Sequence, residues 1–312
     1  MSNLFTTDAF LETAGELFHP GRTHSIEVCR AGGLLLRLLV LDDEEVMERA
    51  PFYDFPQPLA GPHQGPLREL AHFPRTVVAT TTVEARVPEA KGYQPAPYID
   101  WTRFPAWTDF TALVGARIGN LFPDSRRKRK KLARDLGELR FVFDDERPHV
   151  FDACLRWKSA QYVASGLPDL FAVRQNVELF HRLRARRAVV VSSLSAGDTL
   201  VAVHLGGLAD NRHYWWVPAY DVAYAKYSPG RLLLEDILQA SHALGHAEFD
   251  FLIGDEAYKF HYATHNRVIG PVGVPPLKAQ LLAEAKTRAK RVLERSPRAL
   301  ALARQLKKRL GR

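Results

Sequence analysis

The chain has 312 residues, a formal net charge of +8 and only two cysteines, Cys29 and Cys154. That length supports a sizeable core and room for two domains, while two distant cysteines without a CxxC pair argue against a disulfide framework or a thiolate zinc site. No apolar run reaches the about 20 residues of a membrane span, and the start, Met1-Ser2-Asn3-Leu4-Phe5, lacks the basic-then-apolar order of a signal peptide, so a cytoplasmic protein is expected.

In chain order, residues 1–120 form a mixed, weakly patterned half. Residues 25–30 and 34–41 read as strands joined through Ala31-Gly32-Gly33, a hairpin signal. Residues 50–66 carry five prolines among Phe52, Tyr53 and Phe55 and read as a long loop. Residues 76–87, rich in Val and Thr, read as another strand, and 107–121 as a helix.

The pattern then sharpens. Residues 125–136 read as a basic helix ended by Gly137, 138–143 as a strand, 147–165 as a helix stopped by Gly166-Leu167-Pro168, and 174–186 as a further helix. Three strands follow at 188–194, 199–208 and 213–220, with turn residues Gly197-Asp198 and Asp210-Asn211 between them, so an antiparallel meander is expected. Next come a helix at 231–244, an apolar strand at 248–253, a short helix at 255–264 and a strand around 267–272. A helical crossover from Tyr220 to Glu248 makes the strands on either side of it parallel neighbours.

The positive charge is uneven. Residues 277–312 hold twelve Lys or Arg against Glu284 and Glu294, a local +10, which leaves residues 1–276 at −2. In that tail Leu and Ala alternate with Lys and Arg on two helical stretches separated by Ser296-Pro297. Such basic amphipathic helices rest on anionic lipid, bind RNA or pack on the body.

The most informative stretch runs from Tyr220 to Lys259. The loop Tyr227-Ser228-Pro229-Gly230-Arg231-Leu232 opens a helix, whose first amides and positive dipole end suit an anion, above all a phosphate. This order of elements resembles the GNAT acyltransferase fold: a mixed, largely antiparallel twisted sheet flanked by helices. The basic helix at 125–131, Tyr220-Asp221, Tyr227-Ser228-Pro229-Gly230, Phe249-Asp250-Phe251 and the run from Gly254 to Lys259 resemble its cellulose-biosynthesis-like branch, which is related to Fem-type aminoacyltransferases. The resemblance covers roughly residues 124–274. It implies three parts: a smaller or degenerate GNAT-like half at 1–120, an acyltransferase domain at 121–275 and the basic tail at 276–312. The loop departs from the usual GNAT pyrophosphate pattern, since it offers a single glycine, Gly230, preceded by proline.

What the resemblance implies is transfer of an acyl group from acetyl-CoA or a longer acyl-CoA to an amine on a small molecule or saccharide, with no metal. The donor would lie along residues 227–232. Tyr258 is the expected general acid, with packing as its other role. Asp221 is a base or amine anchor, or a turn former. His204, at the centre of the middle meander strand, is a base or a satisfied structural histidine. Lys259 contacts substrate or donor phosphate, or pairs with Asp255, which otherwise caps its helix. Asp250, flanked by Phe249 and Phe251, either binds substrate or sits in a buried network, since a buried lone carboxylate is costly. Trp216 borders the acceptor, with Trp215 on the opposite sheet face. His261 and His265 have i, i+4 spacing but no third ligand for a metal. Two alternatives stay open: aminoacyl-tRNA as donor, and a non-catalytic protein of this fold that uses its tail. The tail also suggests peripheral contact with an anionic membrane at the inner surface.

Overall fold

The computed structural model describes residues 4–30, 33–41, 45–46, 72–83 and 92–273. The expected loop at 50–66 and the basic tail lie outside them. Three short strands, β1 (Thr23–Arg30), β2 (Gly33–Leu41) and β3 (Glu45–Val46), form an antiparallel sheet of their own, with the expected hairpin between the first two.

Eight strands make the main sheet: β4 (His72–Thr82), β5 (Gln94–Asp100), β6 (Leu139–Val142), β7 (Val189–Ala196), β8 (Thr199–Ala209), β9 (Arg212–Tyr220), β10 (Glu248–Asp250) and β11 (His265–Gly273). Their spatial order is β4-β11-β5-β10-β9-β8-β7-β6. All neighbours are antiparallel except β9 and β10, which are parallel as their helical crossover requires.

Helices cover both faces. On one side α1 (Asp8–Phe18), α4 (Pro148–Ala164) and α5 (Arg174–Ala185) bury Phe10, Phe151, Phe180 and Leu183 against Val191, Val203, Leu205 and Val217. On the other, α2 (Trp107–Arg117), α3 (Leu121–Leu136), α6 (Pro229–Ala243) and α7 (Ala257–Tyr262) bury Phe110, Leu132, Leu233 and Ile237 against Leu194, Val201 and Phe249. Gly137, at φ +106°, ends α3 where an L side chain would be strained.

Two elements carry no clear pattern in the sequence. Helix α1 is capped by the Thr7 side chain, which accepts from Phe10 N–H at 3.3 Å. Strand β5 is central despite Pro95 and Pro97, residues that normally mark an edge. Their carbonyls still accept: Phe251 N–H reaches Pro97 O at 3.0 Å and Gly254 N–H reaches Pro95 O at 3.0 Å. The expected strand at 248–253 is correspondingly shorter. Its ladder stops at Asp250, and the chain bends through Leu252 at φ +61°.

Candidate active site

The opening of the sheet follows from that bend. Strand β10 pairs with β9 only over Glu248, Phe249 and Asp250, opposite Arg212, His213 and Tyr214. Beyond Asp250 the chain follows the carbonyls of β5, and β9 continues from Trp215 to Tyr220 paired with β8 but without β10. Asp250 holds the bend from inside the protein. It is 0% exposed, its Oδ1 accepts Leu252 N–H at 2.8 Å and its Oδ2 accepts from Arg267 at 2.8 Å. Arg267 also pairs with Glu248 and lies over the Tyr98 ring at 3.7 Å from its centre. Burial pushes the Asp250 carboxyl upward while Arg267 opposes the shift, so the pair supports itself away from water.

A bulge lies on the other edge of β9. Leu205 faces Val217 and Gly207 faces Tyr214, so two β9 residues, Trp215 and Trp216, stand opposite Gly206 alone. His204 fills the gap: its Nε2 accepts Trp216 N–H at 3.0 Å and its ring stacks on Trp215 at 4.1 Å. A Cβ on Gly206 would sit 2.8 Å from ring atoms of both His204 and His213, which explains the glycine. Trp215 packs with the α6-side core, while Trp216 packs on the α4 side against Phe180, 4.8 Å between ring centres.

Between the splayed strands lies a cavity of about 670 Å³. From the α4 side it is lined by Lys158, Gln161, Trp216, Leu252 and Ile253, and from the α6 side by Leu121, Trp215, Tyr220, Gly230, Arg231, Leu234, Phe251, Tyr258, His261 and Tyr262. Tyr258 is 37% exposed, and its oxygen accepts the Trp215 indole N–H at 2.9 Å. Burial pushes its pKa up to about 12, so near neutrality the hydroxyl keeps a proton that it can donate. Helix α7, which carries Tyr258 and His261, is held by Arg117, whose Nη1 donates to Phe260 O at 3.0 Å and Ala263 O at 2.7 Å. Burial, with Arg231 and Arg117 nearby, lowers the His261 pKa, so the imidazole is neutral at physiological pH. Lys158 is likewise lowered by burial, and its Nζ donates to Gln161 Oε1 at 3.0 Å.

Lys259 is 5% exposed and also lines the cavity; its Nζ donates to Ile253 O at 2.9 Å and pairs with Glu256 at 2.9 Å rather than with Asp255. Gly254, at φ +147°, lets the Glu256 carboxylate and the Lys259 ammonium close over the backbone. At the start of α6, Lys128 of the basic helix donates to Ser228 Oγ at 2.7 Å, and Arg231 pairs with Asp124. Arg127 and Arg231 together hold the Asp124 carboxyl far below the usual carboxylate range. Arg231 Nε is buried without a hydrogen-bond partner among the described residues.

The structure therefore gathers Trp216, Gly230, Arg231, Tyr258 and Lys259 around one cavity. Other sequence candidates stand elsewhere. His204 is 0% exposed, and burial lowers its pKa well below normal, so it is a neutral acceptor inside the sheet. Asp221 accepts Ala223 N–H at 2.9 Å and starts a short 3-10 turn. Asp250 belongs to the buried network, and Asp255 is exposed outside the cavity lining. In the donor loop, Tyr227 donates to Asp135 at 2.6 Å, Pro229 opens α6 and Leu232 is core. Lys158, Gln161, Glu256 and His261 were not read as an active-site set from the sequence. They come from α4 and from α7 with the residue that precedes it, far apart in the chain, and the fold brings them to one cavity. Among the described residues, no group of three or more His, Cys, Asp or Glu is arranged to hold a metal.

Residues 123–260 match the family model described as an acetyltransferase (GNAT) domain. The chain superposes on the C-terminal domain (DUF2156) of a putative lysylphosphatidylglycerol synthetase from Agrobacterium fabrum with a TM-score of 0.50 and 14% identity, over 90% of this chain and 94% of that one. It superposes on FemX with a TM-score of 0.52 and 9% identity, over 86% and 91%. No curated protein matches. The fold is the GNAT fold, and the segment that matches the acetyltransferase (GNAT) domain model carries the strand splay, the α6 amino terminus and Tyr258.

Proposed function

We propose that the protein is an N-acyltransferase that moves an acyl group from acyl-CoA to an amine acceptor. The observation that carries this reading is the splay of β9 and β10 over a cavity that also holds the α6 amino terminus and a neutral Tyr258. The donor phosphates lie at Gly230 and Arg231, with Lys128 behind Ser228. The thioester carbonyl lies against the open edge of β9 between Trp215 and Tyr220, where a backbone amide other than that of Trp216, which His204 already takes, polarises it. The acceptor amine gives up a proton to neutral His261 and attacks the carbonyl; the C–S bond then breaks, and the Tyr258 hydroxyl protonates the departing thiolate. Solvent returns the proton from His261 to Tyr258. Lys158, Gln161 and Glu256 border the acceptor side. The resemblance to the cellulose-biosynthesis-like branch supports an amino sugar or amino acid derivative as acceptor. The basic tail supports peripheral contact with anionic membrane.

A second reading has an observation of its own. Pro229 removes one amide from the first turn of α6, while Lys128, Arg127 and Arg231 supply cations there, which suits a larger polyanion such as the phosphodiester end of an aminoacyl-tRNA. The likenesses to FemX and to the putative lysylphosphatidylglycerol synthetase domain support it equally. Calorimetric titration with acetyl-CoA and a longer acyl-CoA separates the two. Saturable binding that is lost in Gly230→Trp supports the CoA donor; an added Cβ at Gly230 already meets the Tyr220 ring at 3.3 Å, so Trp blocks that end. Absence of CoA binding, with transfer from aminoacyl-tRNA, overturns the CoA donor.

A further inference from the structure

A second cavity, of about 730 Å³, lies between α2, α3 and α6, and the chemistry proposed above does not use it. The two cavities share a wall. Tyr262 lines the first, and its hydroxyl donates at 2.9 Å to Glu235 Oε1, which lines the second. Ser125 donates to the same oxygen at 2.6 Å, which leaves Glu235 Oε2 without a hydrogen bond among the described residues. Glu235 is only 7% exposed as a residue, but Oε2 keeps access to solvent, so it can accept from a donor that enters the cavity.

Each helix turns polar groups toward this space at helical spacing: Thr108 and Thr111 on α2, Arg126 and Arg129 on α3, Asp236 and Gln239 on α6. Arg129 grips Asp236 with two nitrogens, at 2.8 and 3.0 Å, so both planar groups are fixed in orientation. The ionisable lining is two arginines and two carboxylates, so neither an anion nor a cation finds a net counter-charge. Trp107 adds a half-buried ring, braced by Phe110 at 5.2 Å and Trp101 at 6.1 Å between ring centres.

We propose that this cavity binds a neutral, hydroxyl-rich ligand of the saccharide class. Sugar hydroxyls both donate and accept. They pair with fixed carboxylate, amide and guanidinium groups, and the apolar face of a sugar ring packs on an indole. Glu235 Oε2, which takes no bond from the described residues, is an acceptor that a sugar hydroxyl would meet.

The test uses the full chain without any acyl donor, so it is independent of the transferase reading. Glucose tetramer, N-acetylglucosamine tetramer and inorganic phosphate are titrated by calorimetry and saturation-transfer NMR. At least one tetramer binds saturably, Gln239→Ala weakens it about tenfold, the scale of one or two lost hydrogen bonds, and Thr108→Trp, which fills the cavity, abolishes it. Both side chains are exposed, so the variants keep the wild-type melting temperature. Failure of both tetramers to bind, binding that both variants leave intact, or phosphate binding at the same residues overturns the proposal.

Discussion

The two halves of the main sheet are held together by different physics. Strands β6 to β9 lie side by side in sequence order, the last three joined by tight turns, and their strength is the ladder and the apolar side chains of β7 and β8. Strands β10, β5, β11 and β4 come from distant parts of the chain, and buried polar pairs join them: Asp250 with Arg267, Glu248 with Arg212 and Arg267, and Thr264 N–H with Tyr98 O at 2.9 Å. A ladder of neighbours needs no such device. A seam between remote strands that must also end one pairing after three residues does need it, and the cavity opens at that seam.

Asp250→Ala should have the largest effect. It leaves Arg267 buried beside a missing partner and frees the Leu252 amide, at a cost of about 3–5 kcal/mol, read by urea unfolding. Asp250→Asn keeps an acceptor for Leu252 and should cost less. If both variants unfold like wild type, the seam does not depend on this network.

Tyr258→Phe tests the chemistry over the same seam. Donor binding should persist, while the transfer rate falls about 100-fold or more, read from steady-state kinetics with kcat and KM separated. An unchanged kcat would remove Tyr258 from the acid role and leave it as the partner of Trp215.

A third prediction probes the sequential half. His204 and His213 are buried neutral, both lowered by burial, His213 to about 3. Their folded values lie below the ordinary histidine value near 6.5. Each therefore contributes stability that is fully present above about pH 6.5 and lost as pH falls toward the folded value, by about 1.4 kcal/mol per pH unit per histidine. Urea midpoints between pH 7.5 and about 5 read the slope, and His213→Phe, which keeps the 5.0 Å stack on Phe249, should flatten it. The smallest effect is expected on the surface. Arg182→Ala removes exposed pairs to Glu178 and Glu16 and should change stability by less than about 1 kcal/mol.

The same contrast explains what the sequence revealed. The meander was legible because its alternation and its Gly197 and Asp210-Asn211 turns act locally, as was α6 from its apolar face, although the helix begins at Pro229, two residues before the expected Arg231. The central place of β5 was not legible, because two prolines in seven residues read as a loop unless the neighbour that uses their carbonyls is known. Gly230, Arg231, Tyr258 and Lys259, which line the cavity, came from a contiguous stretch. His204 and Asp221 each carried a structural alternative in the sequence, a satisfied histidine and a turn former, and those are the places the structure gives them; the bulge itself was not legible.

By itself the sequence determined the alternating elements of residues 125–272, the parallel crossover around α6 and the loop that opens that helix, since these follow from periodicity, turn chemistry and helix ends. Only the tertiary structure decided where β10 leaves β9, which of the two tryptophans faces which helix layer, and that α4 and α7 share one cavity. Those outcomes depend on contacts between residues more than one hundred positions apart, such as Pro97 with Phe251, and no local pattern encodes them.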